Sequence, residues 1–350
     1  MNRLFPALIA VLVSFAATLA HGQNAPPAKQ AGDVAVPAFT APYSAFASDE
    51  ARRLFVRDVL QPGPPIGADI AAARAHYDRI NSDRVVRLRA LYPVDIREVT
   101  IGGVGAQIVT PRGGPSKANA QRVLINLHGG AFLWGAGSGA LVEAIPVASV
   151  SGITVITLDY RMAPEARFPA ASEDVAAAYR ALLKTHKPGQ IGIYGCSAGG
   201  MLTAESIAWI ARQGLPRPAA IGMFCAGAAE MLGDSAVTGP ALTGQPVTGP
   251  LKMAALPYFF GAKADDPLVV PIRDAKVLAA FPPSLLISGT RDFALSAVLK
   301  THQELVRLGV EAELHVWDGM WHAFFSDPEP AESKESYAVM ARFFDRHLAH

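Results

Sequence analysis

Cysteine is scarce in this 350-residue sequence, which contains only Cys196 and Cys225. Two thiols cannot build a zinc finger, an iron–sulfur cluster or the disulfide framework of a small secreted domain. In an oxidising compartment the pair could form a disulfide, but two buried free thiols are the simpler expectation. The cysteine content therefore excludes proteins whose fold depends on cysteine.

Charge is also sparse, since charged residues make up 17% of the chain, against about 25% in an average soluble protein. The 31 Lys and Arg residues nearly balance the 30 Asp and Glu residues, which gives a formal net charge of +1. No basic run supplies the electrostatic footprint that nucleic-acid binding needs. Apolar residues make up 51% of the chain, so a disordered protein is excluded and a large core is expected.

One long apolar run stands near the start, from Leu4 to Ala20, behind a single positive charge. Small residues at Ala20 and Gly22 suit cleavage after Gly22, which is typical of a secretory signal peptide. An uncleaved anchor is the alternative, although the run is short for a bilayer span of about 20 residues. We therefore expect a signal peptide at residues 1–22, a flexible Ala- and Pro-rich linker at 23–43, and a secreted or periplasmic mature protein.

From about residue 94, short β-branched runs alternate with Ala-rich helical runs. Eight strands are predicted, at residues 96–101, 106–110, 122–127, 153–158, 190–194, 221–225, 284–287 and 312–316. Five helices are predicted between or after them, at residues 139–150, 172–184, 198–213, 294–308 and 333–348. This alternation indicates an α/β fold whose parallel sheet is covered by helices on both faces. Residues 93–350 are therefore expected to form one catalytic domain, with its chemistry beyond the carboxyl ends of the strands.

Two regions are expected to form a helical cap over these strand ends. Residues 44–92 contain two amphipathic stretches, at 48–60 and 69–80, separated by a Pro-Gly-Pro-Pro run. Residues 226–272 form a long Gly- and Pro-rich interval with one weak helical stretch near 253–260. A structureless interval of that length is unusual inside a compact domain and is often an insertion or a lid.

The strongest chemical signal is Gly195-Cys196-Ser197-Ala198-Gly199, which fits the pattern G-x-S-x-G. By itself the pattern is weak, because glycine and serine are common residues. Its context is specific, because it follows the predicted strand 190–194 and opens the predicted helix 198–213, as a nucleophile elbow does. The tight turn of an elbow strains the serine backbone and leaves no room for side chains two residues away. Ser197 is therefore the candidate nucleophile, with an ordinary Gly-rich turn as the alternative.

A nucleophilic serine needs a base and an orienting acid, which follow it in the order Ser, acid, His in this architecture. Five histidines follow residue 197, and His322 is the one that lies in a loop just beyond a predicted strand. It is therefore the candidate base. Asp292, beyond the strand 284–287, is the candidate acid, and Asp318 is its rival because it too lies in a loop.

The loop after the predicted strand 122–127 has the sequence His128-Gly129-Gly130-Ala131-Phe132. Small residues let backbone amides turn inward and stabilise a developing oxyanion. The amide of Ala198, directly after the candidate nucleophile, is expected to be a further donor. His128 precedes the serine in the chain, so we expect it to brace the loop, with a direct catalytic role as the alternative.

Five sequence blocks occur together in the order of a known enzyme family. They are His128-Gly129-Gly130, the run 159–165 (DYRMAPE), Gly195-x-Ser197-Ala198-Gly199-Gly200, the run 289–292 (GTRD) and the run 319–322 (GMWH). With these blocks, residues 95–348 resemble the hormone-sensitive-lipase-like family of α/β-hydrolases, which includes bacterial carboxylesterases.

This resemblance implies an α/β-hydrolase fold, in which helices flank a mostly parallel eight-stranded sheet and a helical cap covers it. It also implies that the catalytic triad consists of Ser197, Asp292 and His322. The oxyanion hole implied by the resemblance is formed by the amides of Gly129, Gly130 and Ala198. Two departures stand out, because Cys196 and Ala131 replace the Asp and the third Gly that are usual there. A thiol accepts hydrogen bonds only weakly, so altered support of the site is expected, without loss of its chemistry.

A second glycine pattern, Gly135-Ala136-Gly137-Ser138-Gly139-Ala140, mimics the dinucleotide-binding fingerprint, and Asp159 follows at about the usual spacing. The fingerprint needs its first glycine at the end of a strand, whereas the predicted strand ends earlier, at Leu127. A nucleotide-dependent oxidoreductase is therefore disfavoured. These glycines are expected to let the oxyanion loop pack closely, and Asp159 to brace the loop that it begins.

The sequence thus predicts a secreted serine carboxylesterase that hydrolyses carboxylic esters through an acyl-enzyme on Ser197. A lactone hydrolase with the same triad is the first alternative, and a non-catalytic binding module on the same fold is a remote one. Phe132, Trp134 and Trp321 are expected to line an apolar substrate pocket, with burial in the core as the alternative for each. The expected partner is a small-molecule ester or lactone. No metal, cofactor or nucleic acid is expected, and no membrane span after removal of the signal peptide. A homodimer is possible.

Overall fold

The computed structural model describes residues 32–61, 69–247 and 249–349. Residues 32–42 contain no helix or strand, and every element named below lies at or beyond Tyr43. The predicted signal peptide and the first part of the predicted linker lie outside the described residues. Among those residues, no helix combines the length and the apolar character that crossing a bilayer requires.

Eight strands form one sheet in the order β1-β2-β4-β3-β5-β6-β7-β8. They are β1 (Val94–Ile101), β2 (Val104–Pro111), β3 (Val123–Leu127), β4 (Thr154–Leu158), β5 (Ile191–Cys196), β6 (Ala220–Phe224), β7 (Ser284–Gly289) and β8 (Ala312–Trp317). Strand β2 runs antiparallel to β1 and β4, and all other neighbours are parallel. Gly102 and Gly103, with φ of 61° and 86°, form the tight turn between β1 and β2. The predicted eight-stranded, mostly parallel sheet is confirmed.

Nine α-helices accompany these strands in the described part of the chain. They are α1 (Asp49–Leu54), α2 (Ile70–Leu91), α3 (Ser138–Ser151), α4 (Ala170–Leu182), α5 (Ala198–Arg212), α6 (Ser235–Leu242), α7 (Ala275–Ala279), α8 (Leu295–Arg307) and α9 (Ala331–His347). The five helices predicted for the catalytic domain are α3, α4, α5, α8 and α9. Helix α1 continues into a π-helical turn at Phe55–Val59. Helix α2 extends well beyond the predicted residues 69–80, because it packs on α3 and its arginines Arg84 and Arg87 bind Asp327.

The sheet carries an apolar core on each face. Along β3 the side chains alternate, so that Ile125 joins one core and Leu124 joins the other. Helices α4, α5 and α8 cover the first face, whereas α3 and α9 cover the second. All five residues of β3 are buried, as the continuous apolar run of a strand covered on both faces requires.

The interval 226–272 contains more structure than its sequence suggested. It holds helix α6, which was not predicted, and two 3₁₀ turns, Met253–Ala255 and Pro257–Phe259, where one weak helix was expected. The reason is Pro257, which holds the preceding residue Leu256 in an extended conformation and so separates the two turns. The assignment of this interval and of residues 44–92 to a cap stays a prediction.

Candidate active site

Ser197 lies at the sharp turn between β5 and α5. Its backbone has φ of 57° and ψ of −121°, a conformation that residues other than glycine rarely adopt. A Cβ atom at Gly195 or at Gly199 would lie 2.2 Å or 1.8 Å from the carbonyl oxygen of Leu127. The two glycines let β3 approach the turn, and the strain of the expected nucleophile elbow is present.

The structure brings Ser197, His322 and Asp292 into one hydrogen-bonded line. Nε2 of His322 lies 2.8 Å from Oγ of Ser197, and Nδ1 lies 2.7 Å from Oδ1 of Asp292. His322 reaches the site from the loop after β8, and Asp292 from the loop after β7. The three residues therefore meet at the carboxyl edge of the sheet, where the parallel strands end.

The carboxylate of Asp292 is fully buried and well supplied with donors. The amide of Ala294 and the hydroxyl of Ser288 each donate a hydrogen bond to it at 2.8 Å. Burial raises the pKa of Asp292, but the charge of His322 and these hydrogen bonds outweigh burial and lower the pKa below its usual value. Asp292 is therefore an anion that can orient His322 and stabilise its cation.

The rival residues lie elsewhere. Asp318 accepts hydrogen bonds from Thr290 and Ser44, so its carboxylate is engaged away from His322. His128 is buried, stacks on the ring of Tyr160 at 4.2 Å and donates its Nδ1 proton to the carbonyl oxygen of its neighbour at 2.8 Å. Burial lowers the pKa of His128 to about 4, so this ring is neutral and braces the loop.

The oxyanion loop differs from the expectation at Gly129. Its amide donates a hydrogen bond of 2.7 Å to Oε1 of Glu143, so it cannot also serve an oxyanion. Gly130 and Ala131 line the cavity beside Ser197, and Ala131 adopts a φ of 55°. Within the described residues, no hydrogen-bond acceptor is found for the amides of Gly130, Ala131 or Ala198. The expectation for Gly129 is therefore wrong, and Ala131 takes its place among the available donors.

Glu143 is a site residue that the sequence analysis missed. Its carboxylate also accepts hydrogen bonds from the side-chain amide of Asn126 at 3.0 Å and from the backbone amide of Cys196 at 3.2 Å. Burial raises the pKa of Glu143 to about 8, against the opposing effect of these hydrogen bonds. The sequence does contain one sign of this role, because Glu143 is the only charged residue of the otherwise uncharged helix α3. One buried carboxylate therefore binds both the oxyanion loop, at Gly129, and the residue that precedes Ser197.

Two cavities meet at His322. The first has a volume of about 310 Å³ and includes Ser197, Gly130 and Trp134 in its wall. The second has a volume of about 350 Å³ and includes Trp321. Three residues, Arg84, Phe293 and His322, line both cavities.

Phe132, by contrast, does not line either cavity. It is fully buried and stacks on Tyr258 with ring centroids 4.6 Å apart. Its φ of 59° turns the side chain away from the loop's open face and into the core. The expectation that Phe132 binds substrate is therefore wrong, whereas Trp134 and Trp321 do face the cavities.

Helix α2 closes one side of the first cavity. Tyr77 stacks on Trp134 with ring centroids 4.4 Å apart, and Arg84 forms an ion pair of 2.9 Å with Asp327. Neither residue was expected at the site, because an amphipathic pattern does not show which partner its faces meet. The wall of the cavity therefore depends on a helix more than a hundred residues before Ser197.

The second glycine pattern serves the same loop. A Cβ atom at Gly135 would lie 2.2 Å from the carbonyl oxygen of Gly129. The carboxylate of Asp159 accepts a hydrogen bond from the amide of Gly137 at 3.2 Å. The glycines permit close packing of the oxyanion loop, as expected. Strand β3 ends at Leu127, before Gly135, so the first glycine of the pattern is not at a strand end, as a pyrophosphate site requires.

Both cysteines are buried free thiols, and Cys225 lies under the active site. Its sulfur accepts a hydrogen bond of 3.2 Å from the amide of Ala323. Among the described residues, Cys225, Asp292 and His322 form one group whose ligand atoms lie within 4.8 Å of one another. Both nitrogens of His322 are engaged by Ser197 and Asp292, so we assign these three residues to the serine site and not to a metal site.

Comparison with known proteins gives consistent matches. A family model described as alpha/beta hydrolase fold matches residues 124–326, which is more than half of the chain. An acetyl-hydrolase of Streptomyces hygroscopicus is 29% identical over 250 residues, which cover 70% of this chain and 81% of the relative. The crystal structure of esterase E25 has a TM-score of 0.80 at 30% identity, over 90% of this chain and 99% of that one.

A second solved structure connects the fold to the resemblance found in the sequence. It is an esterase from the bacterial hormone-sensitive lipase family, with a TM-score of 0.75 at 27% identity. The match covers 86% of this chain and 99% of the esterase. The predicted fold class and the predicted resemblance are therefore confirmed. The chain belongs to the α/β-hydrolase-fold family and is similar to its hormone-sensitive-lipase members.

Proposed function

We propose that this protein is a serine carboxylesterase with Ser197 as nucleophile. The observation that carries the proposal is the continuous hydrogen-bonded line from Ser197 through His322 to Asp292, at 2.8 and 2.7 Å. The similarity to proteins named acetyl-hydrolase and esterase supports the same chemistry.

The line of three residues suits a two-step acyl transfer. Oγ of Ser197 attacks the ester carbonyl carbon while Nε2 of His322 accepts the hydroxyl proton. His322 then donates that proton to the leaving alcohol as the acyl-enzyme forms. In the second step His322 takes a proton from water, which attacks the acyl carbon, and then returns the proton to Oγ as the acyl–Oγ bond breaks, so that the acid and the free serine are released. Asp292 holds Nδ1 protonated and stabilises the imidazolium in both steps.

The oxyanion of each tetrahedral intermediate is assigned to three backbone amides. Those of Gly130 and Ala131 belong to the loop after β3, and that of Ala198 begins helix α5. Each N–H lacks an acceptor within the described residues, so each is available at no loss of an existing hydrogen bond. Fixed donors of this kind stabilise developing charge without reorganisation.

The two cavities suit the two parts of an ester. At about 310 and 350 Å³, each is near the lower end of the size range of ligand pockets. We expect kcat/KM on p-nitrophenyl esters to be highest for short acyl chains and to fall steeply for long ones. The measurement is a series of p-nitrophenyl esters from acetate to palmitate.

Two outcomes of that series would change the proposal. Faster turnover of lactones than of any ester would favour the lactone hydrolase with the same triad. No turnover of esters or lactones would favour a binding module that has kept the triad residues.

Export is proposed on the sequence alone. The apolar run from Leu4 to Ala20 and the small residues at Ala20 and Gly22 support a cleaved signal peptide. We expect the N-terminus of the mature protein, purified from the periplasm or the medium, to be Gln23. Recovery of the chain in the membrane fraction with residues 1–22 intact would contradict this.

A further inference from the structure

The carboxylate of Glu143 joins three segments that meet at the site. It accepts hydrogen bonds from the amide of Gly129 at 2.7 Å, from the amide of Cys196 at 3.2 Å and from the side chain of Asn126 at 3.0 Å. Gly129 belongs to the oxyanion loop, Cys196 directly precedes Ser197, and Asn126 lies in β3. One side chain from α3 therefore contacts both halves of the reaction centre.

All three partners of this carboxylate are donors. The amide of Asn126 is oriented by Thr157, whose hydroxyl donates a 2.7 Å hydrogen bond to Oδ1 of Asn126. This leaves the nitrogen of Asn126 facing Glu143. An ionised carboxylate can accept all three hydrogen bonds, whereas a protonated one places an O–H among donors and weakens at least one of them. The arrangement is thus built for the anion.

The position of the anchored amides gives this contact its effect. A Cβ atom at Gly129 would lie 3.0 Å from the carbonyl oxygen of Cys196 and 3.4 Å from Cβ of Ser197, so loop and elbow are in close contact. When the amide of Gly129 is turned toward Glu143, the two amides that follow, at Gly130 and Ala131, stay free at the cavity wall. The carboxylate therefore fixes both the direction of the donors and their distance from Oγ.

We propose that Glu143 is a positioning residue whose ionised carboxylate holds the oxyanion loop against the nucleophile elbow. This inference rests on the proposed ester hydrolysis and acts through Gly129 and Cys196, without contact between Glu143 and the reacting atoms. It makes kcat/KM depend on the ionisation of Glu143, because the loop is held most firmly by the anion.

The pH range of this dependence follows from the environment of Glu143. Burial raises its pKa to about 8, so the anion replaces the neutral acid as pH rises through that value. The titratable or charged groups that face it or share its cavity are Tyr194 and Cys196 on β5, Tyr160 after β4, His322 after β8, and Tyr77 and Arg84 on α2. Burial raises the pKa of Tyr194, Cys196 and Tyr160, which keeps them neutral there.

The test compares Glu143→Gln with a matched control, Glu205→Gln. Glu205 is a buried acid of α5 whose carboxylate makes no hydrogen bond with any described residue, and burial keeps its pKa well above the usual value. We expect wild type and Glu205→Gln to show a rise in kcat/KM centred near pH 8 on a short p-nitrophenyl ester. In Glu143→Gln we expect that rise to be absent, kcat to fall by about tenfold to hundredfold, and KM to change little.

Amide hydrogen exchange supplies a readout that does not need activity. We expect faster exchange at Gly129 and Cys196 in Glu143→Gln, with the rest of the sheet unchanged. An active wild type whose pH profile and exchange are unaltered by Glu143→Gln would overturn the role of Glu143 alone. A uniform increase in exchange with an unchanged pH profile would also overturn it, because it would show a general loss of stability. A wild type that is inactive on every ester would instead overturn the proposed function.

Discussion

Replacement of Ser197 by alanine is expected to lower kcat on a short p-nitrophenyl ester by at least about 10⁴-fold. Without Oγ no acyl-enzyme can form, and the remaining rate comes from water attacking a carbonyl held by the oxyanion amides. KM should change little, because the cavity walls remain in place. The measurement is the steady-state rate of p-nitrophenolate release by wild type and variant at the same enzyme concentration.

The matched control for that experiment is Ser206→Ala. Ser206 is a fully buried serine of helix α5, which begins directly after Ser197, and its hydroxyl has no hydrogen-bond partner among the described residues. We expect this variant to keep the wild-type rate. A Ser197→Ala protein that also kept the wild-type rate would show that Ser197 is not the nucleophile, and Cys196 would be the first residue to examine in its place.

The second large effect is expected for Asp292→Asn, with a loss of about 10⁴-fold in kcat. The carboxylate of Asp292 accepts the Nδ1 proton of His322 at 2.7 Å, which leaves Nε2 free to accept the proton of Ser197. An asparagine can present its NH₂ group to Nδ1, which favours the tautomer with a proton on Nε2. That tautomer cannot act as the base. The measurement is kcat on the same ester across neutral pH.

Asp318→Asn separates this effect from the loss of any nearby acid. Asp318 lies in the loop that carries His322, but its carboxylate is bound to Thr290 and Ser44. We expect its replacement to change kcat by no more than about twofold. A larger loss in Asp318→Asn than in Asp292→Asn would reverse the assignment of the acid.

The fold and the three residues of the serine line were accessible from the sequence because their signals are local. The G-x-S-x-G pattern stands between a strand and a helix, and Ser197, Asp292 and His322 follow three strands of the sheet, β5, β7 and β8, in chain order. Continuous apolar runs such as β3 need no partner to be recognised. The turn at Gly102 and Gly103, which makes β1 and β2 antiparallel, shows in the sequence as well, although the prediction did not use it.

The details that the sequence did not provide depend on contacts between distant segments. Gly129 and Ala131 are both small residues in one loop, and only the carboxylate of Glu143 determines which of their amides is already engaged. Phe132 follows them with a positive φ, which no residue pattern predicts for a phenylalanine. The length of α2 is of the same kind, because Arg84 and Arg87 gain their ion pairs with Asp327 only in the folded chain.

The central claim is that the reaction proceeds through a covalent bond to Oγ of Ser197. Its most direct test is mass spectrometry of the protein after treatment with a p-nitrophenyl alkylphosphonate ester. Attack by Oγ forms an ester bond from Oγ to phosphorus and releases one p-nitrophenolate. The adduct is stable because its tetrahedral phosphorus resembles the tetrahedral intermediate, with an oxygen beside the oxyanion amides, and water attacks it far more slowly than it attacks the planar carbonyl of an acyl-enzyme. We predict one phosphonyl group per chain, on the peptide that contains Ser197, with complete loss of ester hydrolysis. An adduct on another residue, or an unmodified and fully active Ser197 after prolonged treatment, would contradict the account.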